Sequence, residues 1–554
     1  MFFRYLFISL SCLLFLVLLA TSLRQGRERQ SLRVVLLTVE SLRDEQVNEA
    51  NTPNLLIAAG HGAVRFTGHR AISGWTATNI VTLLTGLSPF ASGVHTRGQS
   101  LPEHLHPPLE QLADRDYLVE GLQPFMTMDI YQNLGLEVDR RGPEPTLWLA
   151  ERRRHGDPFF LWYHYVNTHL PYGPDPLPEQ WPPEIRARME KVRTQASILQ
   201  DEARFSPEDV PFVEALHAKR IVEFDQWFGE FWQFWQRAGL GRDTILIITA
   251  DHGDEHGERG MVGHASTTLA GHLHEEVVRV PLFIWLPEPL APLAHRVDLS
   301  ATTSHIDIMP TILARLGIKA TLPLEGRDLF ATPGQAPRNS PTATAQVGGE
   351  DCSWLAMTGS GGFAEPDPEQ IRYFEYACLL DGWKSRLRVP ADGEEQFFLY
   401  HLESDPGETI NHATDQPRLA NLHHRLLQEA MARRITIPVR SETREDSDDG
   451  GAGTVLQWLH PTRSGPYSYA DVKGQFRLQW SGAADREYII DYRAGHGRKA
   501  LAGTLTVRGP SKDFGAIDSR YWLTWIVPNS PYRLRIREAE GPGSSPWLEL
   551  EARP

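Results

Sequence analysis

Four continuous apolar runs constrain the fold of this chain of 554 residues more than any other feature of its sequence. They cover residues 34–39, 159–165, 244–249 and 280–285, and helical stretches separate them. Uninterrupted apolar strands are typical of a sheet that helices cover on both faces, and strands that alternate with helices favour parallel pairing. The sequence therefore predicts an α/β domain over residues 31–440, with a mostly parallel central sheet sandwiched by helices.

Polar residues gather at the carboxyl ends of these runs. Glu40 follows the first run, His169 lies beyond the second, and Asp251 and His252 follow the third. Open α/β sheets bind ligands beyond the carboxyl ends of their strands, so we expect these side chains to share one site. Carboxylates beside an imidazole suit a hard or borderline divalent cation, so Mn, Mg, Ca or Zn is predicted as the cofactor.

A hydroxyl nucleophile is suggested by the segment SGWTATNIVTLLTG at 73–86, which places Thr76 at the start of a helical stretch. The free N–H groups and the positive dipole end of a helix N-terminus favour an alkoxide and an anion beside it. A metal cation would supply the larger share of the activation, because a threonine hydroxyl is too weak an acid to ionise unaided. The alternative is that Thr76 only caps the helix.

Nine segments, taken in order along the chain, resemble the sulfatase-like branch of the alkaline phosphatase superfamily. They are VVLLTVESLR at 34–43, TPNLL at 52–56, GAVRF at 62–66, WTATNIVTLLTGLSP at 75–89, HYVNTHLPY at 164–172, TADHGDEHGERG at 249–260, EEVVRVPL at 275–282, HIDIMPTIL at 305–313 and LYHLESDPGETIN at 399–411. The resemblance implies an alkaline phosphatase-like fold and a sulfatase-like catalytic domain over residues 31–440.

The resemblance also implies roles for the site residues. Glu40, Asp251 and His252 fall on the family's metal ligands, and Thr76 falls on its nucleophile, which also contacts the metal. Sulfatases carry C-x-P-S-R at that position, whereas this chain has TATNI at 76–80. No cysteine is available there for conversion to formylglycine, so the chain is more similar to lipoteichoic acid synthase and related phospho-group transferases.

Further histidines are assigned by the same resemblance. His169 resembles the histidine that contacts the transferring group or protonates the leaving oxygen. The other histidine or lysine that precedes the E-x-x-x-x-V-P-L stretch corresponds to His264 or to His272, and the sequence leaves both open. His264 is predicted as a catalytic residue and His272 as a substrate-binding residue.

Two more residues are predicted to bind substrate. Arg43 matches the arginine of the family's first motif and could either touch the anion or pair with Asp44. Asn79 lies three residues after the nucleophile, as in nucleotide pyrophosphatases and phosphodiesterases. Two-metal relatives carry an Asp followed four residues later by a His, whereas here Asp225 is followed by Gly229. One divalent ion is therefore predicted.

The predicted function is metal-dependent hydrolysis or transfer of a phospho-ester group through a covalent phospho-threonine. The alternatives are a sulfuric ester hydrolase and a catalytically degenerate, sulfatase-like binding module. The expected partner is an anionic ester, either a lipid or an envelope polymer. With 70 acidic residues against 55 Lys and Arg, the net charge is −15, which argues against a nucleic-acid partner.

The compartment is indicated by residues 1–30. The stretch 2–23 is mostly apolar with Arg4 as its single charged residue, and it is long enough to cross a bilayer. We expect a single-pass inner-membrane protein with a periplasmic catalytic domain, or a secreted protein after signal cleavage. Cys352 and Cys378 could pair in such an oxidising compartment.

The remaining segments predict an acidic linker at 441–453 and a second domain at 454–554. Seven short β-rich runs in the second domain favour a β-sandwich of immunoglobulin or fibronectin-III type. In the first domain, one predicted helix has an aromatic stripe at helical spacing, formed by Phe224, Trp227, Phe228, Phe231, Trp232 and Trp235. We expect this stripe to face the core rather than a membrane.

Overall fold

The structure is a computed structural model. It describes residues 32–95, 100–103, 105–122, 131–139, 144–173, 175–196, 198, 204–264, 272–331, 346–347, 350–359, 373–390, 393–432, 458–460, 465–467, 477–481, 486–494, 501–509, 511–513, 532–538 and 548–552. The predicted membrane or signal segment at 1–30 and the predicted linker at 441–453 lie outside these residues. Within them, no helix combines the length and the apolar character that crossing a bilayer requires.

The chain divides into two compact units, Met1–Arg440 and Ser441–Pro554. The strands of the first unit are β1 Arg33–Val39, β2 Ala63–Arg65, β3 Gly68–Arg70, β4 Leu118–Leu122, β5 Glu137–Asp139, β6 Phe159–Tyr165, β7 Thr244–Ala250, β8 Glu255–His256, β9 Val262–Gly263, β10 Leu282–Trp285, β11 Thr302–Ser304, β12 Gln346–Val347, β13 Glu350–Asp351, β14 Trp354–Gly359, β15 Tyr373–Leu380, β16 Trp383–Pro390 and β17 Gln396–His401.

Its helices lie mostly between these strands. The α-helices are α1 Pro53–Ala59, α2 Thr76–Thr85, α3 Pro89–Ser92, α4 Pro108–Ala113, α5 Pro145–His155, α6 Pro183–Thr194, α7 Val210–Ala238, α8 Glu275–Val278, α9 Ile308–Leu316 and α10 Pro417–Ala432. Short 3-10 turns occupy Asp44–Gln46, Leu240–Arg242, Ala291–Arg296 and His305–Asp307.

The central sheet has the order β2-β10-β7-β1-β6-β4-β5. Strand β1 pairs in parallel with both β6 and β7, and β4 pairs in parallel with β6 and β5, whereas β10 runs antiparallel to β7 and β2. Alternate residues of β1 enter separate cores on the two faces: Val34 and Leu36 pack with α2 and α9, and Val35 and Leu37 pack with α7. The predicted α/β class with helices on both faces is confirmed.

The aromatic stripe of α7 faces the core, as predicted. Phe224, Phe228, Phe231, Trp232 and Trp235 are at most 9% exposed and pack under β1 and β7. The apolar character of the stripe is therefore accounted for by the sheet that it covers.

A smaller antiparallel sheet of order β14-β15-β16-β17 completes the first unit. Helix α10 packs on it, and Leu426 and Leu427 share its core with Cys352 and Cys378. These two cysteines form a disulfide with a Cα–Cα distance of 5.6 Å. The pairing that the sequence left open is thus present in the structure.

The second unit contains two sheets in its described part. Its strands are β18 Trp458–His460, β19 Gly465–Tyr467, β20 Arg477–Trp480, β21 Glu487–Ala494, β22 Leu501–Arg508, β23 Ser511–Asp513, β24 Tyr532–Glu538 and β25 Leu548–Ala552. The sheets have the orders β18-β20-β23 and β19-β25-β24-β21-β22. Buried Trp480 of one sheet packs edge-on against Tyr488 of the other at 5.5 Å, as expected for a sandwich.

Candidate active site

The end of the central strand and the end of its neighbour bring three predicted metal ligands together. Glu40 directly follows β1, and Asp251 and His252 directly follow β7. The register that pairs Val39 with Ala250 places these residues side by side. All three side chains are fully buried. The structure thus places three of the four strand-end residues named in the sequence, Glu40, Asp251 and His252, beside one another.

Thr76 joins the cluster as the first residue of α2. Its Oγ1 lies 3.0 Å from His252 Nε2 and 3.3 Å from Glu40 Oε1. The residue before it, Trp75, occupies the N-cap position, and no side-chain cap is formed. The alternative that Thr76 is merely an N-cap is therefore wrong, because its hydroxyl faces the cluster and not the helix backbone.

The donor set fits a divalent cation. His252 Nδ1 lies 2.8 Å from the carbonyl oxygen of Gly253, which can only accept, so Nδ1 carries a proton and Nε2 is the nitrogen that faces the carboxylates. That nitrogen lies 3.3 Å from Glu40 Oε1 and 3.3 Å from Asp251 Oδ2. Asp251 Oδ2 has no hydrogen-bond donor within the described residues. Several buried acceptors that face one another in this way need a shared positive charge.

The pKa shifts of the two carboxylates also favour a bound cation. Burial, followed by the charge of Glu40, raises the pKa of Asp251 to about 6. Burial alone would also raise the pKa of Glu40, but the hydrogen bond from His164 and the charge of His252 hold it well below its ordinary value. A bound cation would favour the charged form of both carboxylates.

A second layer of residues orients Glu40, and the sequence did not reveal it. Trp162 Nε1 donates to Thr38 Oγ1 over 2.9 Å, and Thr38 Oγ1 lies 2.7 Å from His164 Nδ1. His164 Nε2 lies 2.9 Å from Glu40 Oε2. Because the indole can only donate, each hydrogen bond of this series is donated towards the carboxylate: by Trp162 to Thr38, by Thr38 to His164, and by His164 to Glu40. The available signal was the pair of polar residues inside two apolar strands, which the register sets opposite each other.

The backbone also contributes to the cluster. Ser41 has a φ of 58°, in the left-handed region that non-glycine residues rarely adopt. Its N–H donates to Asp251 Oδ1 over 3.0 Å, and the N–H of His252 donates to the same oxygen over 2.9 Å. This conformation links the ends of β1 and β7 and leaves Asp251 Oδ2 for another partner.

His264 lies at the cluster and His169 lies next to it. The ring of His264 is centred 4.0 Å from that of His252 and 5.2 Å from that of His169. His264 Nδ1 is 2.7 Å from Asp254 Oδ1, and Tyr172 donates to Asp254 Oδ2 over 2.6 Å. Burial lowers the pKa of His264 to about 4, so the ring is neutral at neutral pH and donates to the carboxylate. Asp254 was missed by the sequence analysis, since its role depends on this contact.

Arg43 and Asn79 have other partners than those expected. Arg43 Nε donates to the carbonyl oxygen of Asp254, and its terminal nitrogens pair with Glu45 at 2.9 Å and Glu258 at 2.7 Å. The predicted pairing with Asp44 is thus replaced by pairing with two other acids. Asn79 Nδ2 donates to the carbonyl oxygen of residue 73 over 2.7 Å, and its Oδ1 accepts from the N–H of residue 72. These bonds fix the loop before Thr76, which is a positioning role.

His272 does not join the cluster around Glu40. Its Nδ1 lies 2.8 Å from Glu255 Oε1, in a separate group of polar residues. Asp225, which marks the place of a second metal in two-metal relatives, accepts from the backbone N–H groups of Asn54 and Leu55 at 2.9 Å. Asp225 thus caps α1.

The fold and this cluster together form an α/β domain whose central strands end at buried candidate metal ligands. Residues 145–318 match the family described as Sulfatase. This match confirms the resemblance to the sulfatase-like branch that is seen in the sequence.

Several characterised proteins are similar to the chain. PehA of Trinickia caryophylli, a multifunctional alkaline phosphatase superfamily protein, is 24% identical over 344 residues, which cover 54% of this chain and 60% of PehA. An arylsulfatase of Clostridium perfringens is 25% identical over 288 residues, which cover 48% of this chain and 53% of that protein. Each match spans less than two thirds of the relative's own length.

Solved structures show the same fold. The phosphonate monoester hydrolase of Agrobacterium radiobacter superposes with a TM-score of 0.54 at 20% identity, covering 74% of this chain and 97% of that enzyme. The corresponding enzyme of Silicibacter pomeroyi gives a TM-score of 0.52 at 16% identity, covering 73% of this chain and 96% of that enzyme.

Proposed function

We propose that the chain hydrolyses or transfers a phosphoric ester group through a covalent phospho-threonine at Thr76, with one divalent cation held by Glu40, Asp251 and His252. The observation that carries the proposal is the position of Thr76 Oγ1, 3.0 Å from His252 Nε2 and 3.3 Å from Glu40 Oε1. The match of residues 145–318 to the Sulfatase family supports hydrolysis of sulfate or phosphate esters.

Phosphorus is favoured over sulfur by the chemistry of the nucleophile. The named relatives include both a phosphonate monoester hydrolase and an arylsulfatase. Sulfatases use a formylglycine made from Cys or Ser. Thr76 offers neither a thiol nor a primary alcohol for that oxidation, whereas its hydroxyl can attack phosphorus directly.

In the first step, Thr76 Oγ1 releases its proton to solvent and attacks phosphorus in line with the leaving oxygen. The new bond from Thr76 Oγ1 to phosphorus forms as the bond to the leaving oxygen breaks. The bound cation would stabilise the threonine alkoxide and the charge on the phosphoryl oxygens. The N-terminus of α2 offers free backbone N–H groups to the same oxygens.

His264 is positioned to handle the protons. An anionic substrate beside its ring favours the imidazolium form, which Asp254 stabilises at 2.7 Å. The ring then gives a proton to the leaving oxygen and takes one from the incoming water or alcohol, which attacks phosphorus and releases Thr76. His169, whose ring is 5.2 Å away, is the second candidate for this role.

We also propose that the site acts outside the cytoplasm on an anionic ester of the cell envelope. The apolar stretch at 2–23 and the disulfide between Cys352 and Cys378 support an exported chain. Protease treatment of intact spheroplasts carrying the full chain checks this placement, because an outward-facing domain is digested and a cytoplasmic one is protected.

The catalytic proposal is tested with the purified full chain and three esters: p-nitrophenyl phosphate, bis-p-nitrophenyl phosphate and p-nitrophenyl sulfate. Thr76→Ala should lower turnover of the phosphorus esters by at least about a thousandfold. The matched control is Thr78→Ala on the same helix, since Thr78 is also buried and its hydroxyl has no hydrogen-bond partner in the described part of the chain. This variant should keep its activity.

Acid quenching during turnover, followed by peptide mass analysis, should show phosphate on Thr76. Preferred hydrolysis of the sulfate ester would contradict the assignment to phosphorus. A wild-type chain that binds no divalent metal and cleaves none of the esters would instead support the degenerate binding module.

A further inference from the structure

A second group of potential metal ligands lies outside the cluster around Glu40. Glu255 of β8, His272 and His274 each offer one ligand atom, and these atoms lie within 4.8 Å of one another. Glu255 is 2% exposed and His274 is 4% exposed. Two imidazoles separated by one residue thus lie beside a buried carboxylate.

Polar atoms of this group lack partners. His272 Nδ1 lies 2.8 Å from Glu255 Oε1, but Glu255 Oε2 and His274 Nδ1 have no hydrogen-bond partner within the described residues. His274 Nδ1 lies 3.3 Å from Glu408 Oε2, which already accepts from the N–H of Glu275 over 2.7 Å. Buried polar atoms are normally paired, so two orphans in one group point to a missing ligand.

The neighbouring acids already have cationic partners. Glu276 accepts from Arg259 over 2.7 Å, and Glu408 lies 3.3 Å from Lys384 Nζ. In the part of the chain that the structure describes, Glu255 has a histidine as its ion-pair partner. A bound cation would therefore stabilise the charge of Glu255 more than that of Glu276 or Glu408.

We propose that Glu255, His272 and His274 bind a second divalent ion of the transition-metal class, for which Zn²⁺ is the probe. Two imidazoles and one carboxylate form a common donor set for zinc, with a further position for water or substrate. Imidazole ligands favour Zn²⁺ over Mg²⁺ and Ca²⁺, which prefer oxygen. The site at Glu40 has more oxygen ligands and should discriminate less between these ions.

The location gives the second ion a connection to the reaction. His272 and His274 line a cavity of about 490 Å³ that Arg259 and Arg386 also line. The backbone of His272 packs closely against Gly74, since a Cβ there would lie 3.0 Å from the carbonyl oxygen of His272. An ion at the second site would therefore add charge beside the cavity and fix the segment that contacts the loop before Thr76.

Metal counting tests the proposal. The full chain is stripped with a chelator, dialysed against Zn²⁺ and measured by plasma mass spectrometry. We expect two Zn²⁺ ions per wild-type chain. The variants Glu255→Gln and His272→Asn should each bind one ion, at the first site. Asp251→Asn should also bind one ion, which is retained at the second site. The matched control is His106→Asn, because His106 Nδ1 forms a similar contact of 2.7 Å with Glu110 but belongs to none of the candidate metal-binding groups among the described residues. This control should keep two ions.

The outcomes separate this proposal from the proposed catalytic site. One Zn²⁺ per wild-type chain, lost in Asp251→Asn, would overturn the second site and leave the first intact. Two ions in both Glu255→Gln and His272→Asn would also overturn it. If Glu255→Gln does not fold, the numbers of Zn²⁺ ions bound by the wild type and by His272→Asn decide whether the second site exists.

Discussion

Replacing His164 by Phe should weaken metal binding at Glu40 without removing any proposed metal ligand. His164 Nε2 donates to Glu40 Oε2 over 2.9 Å, and both side chains are fully buried. Phe keeps the ring shape but removes the donor, so one oxygen of a buried carboxylate loses its partner. Glu40 is then free to rotate away from Asp251 and His252, and its ionised form is less stable.

The size of the effect follows from the type of hydrogen bond. A hydrogen bond to a charged group contributes about 1.5 to 3 kcal/mol. A loss of about 2 kcal/mol corresponds to about a thirtyfold rise in the dissociation constant. This agrees with the roughly 10- to 100-fold losses found when partners of metal ligands are removed. Thr38→Val, which removes the hydroxyl that sets the ring proton of His164, should have a smaller effect in the same direction.

Isothermal titration of the metal-free full chain with Mn²⁺ measures the effect. The matched control is Thr303→Val, which removes a similar buried contact of 3.0 Å between Thr303 and His69 but touches no proposed ligand. This control should bind Mn²⁺ as the wild type does. A folded His164→Phe variant whose dissociation constant stays within about twofold of the wild-type value would refute the reasoning.

Three further predictions concern stability. Removal of the disulfide by Cys352→Ser with Cys378→Ser should lower the free energy of unfolding by about 3.5 kcal/mol, because the bridge closes a loop of sequence separation 26; urea titration under non-reducing conditions measures the loss. Asp225→Ala should cost about 1 to 3 kcal/mol in the same assay, since two backbone N–H groups at the start of α1 lose their acceptor. Burial lowers the pKa of His423 to about 4, so the unfolded chain binds a proton that the folded chain does not. The free energy of unfolding should therefore decrease as the pH is lowered from about 6.5 to about 4 and then level off. In His423→Gln this decrease should be smaller by up to about 3 kcal/mol; an unchanged pH profile would contradict this.

The sequence was sufficient to predict the centre of the candidate site because that centre is built from strand ends. Glu40, Asp251 and His252 follow apolar runs, and parallel strands bring such positions together whatever the loops do. Thr76 was found from the start of a helical stretch together with the family resemblance. These are local features, and local features can be read along the chain.

Residues whose roles depend on distant partners were not found. His164 lies inside an apolar strand, and only its register with Thr38 shows that it supports Glu40. Arg43 pairs with Glu258, which lies 215 positions away, so sequence proximity to Asp44 was misleading. Asn79 folds back onto the loop before its own helix, a contact that spacing does not reveal.

The fold itself was predicted more completely than its details. The predicted strand at 280–285 begins at Leu282, after Pro281, which has no N–H to donate to a neighbouring strand. That strand also runs antiparallel to β7, and its hydrophobic pattern carries no information about direction. One of the seven β-rich runs predicted in the second domain, at 521–527, lies outside the described residues.

The place of β1 in the sheet has a consequence for how ions leave the chain. Strand β1 is hydrogen-bonded to a neighbour on each side along its length, whereas Glu255 belongs to the two-residue strand β8 and His274 precedes the four-residue helix α8. Local opening takes far less free energy in such short elements than in a central strand. In a chain that holds both ions, the one at Glu255 should exchange with isotopically labelled metal in solution long before the one at Glu40 does.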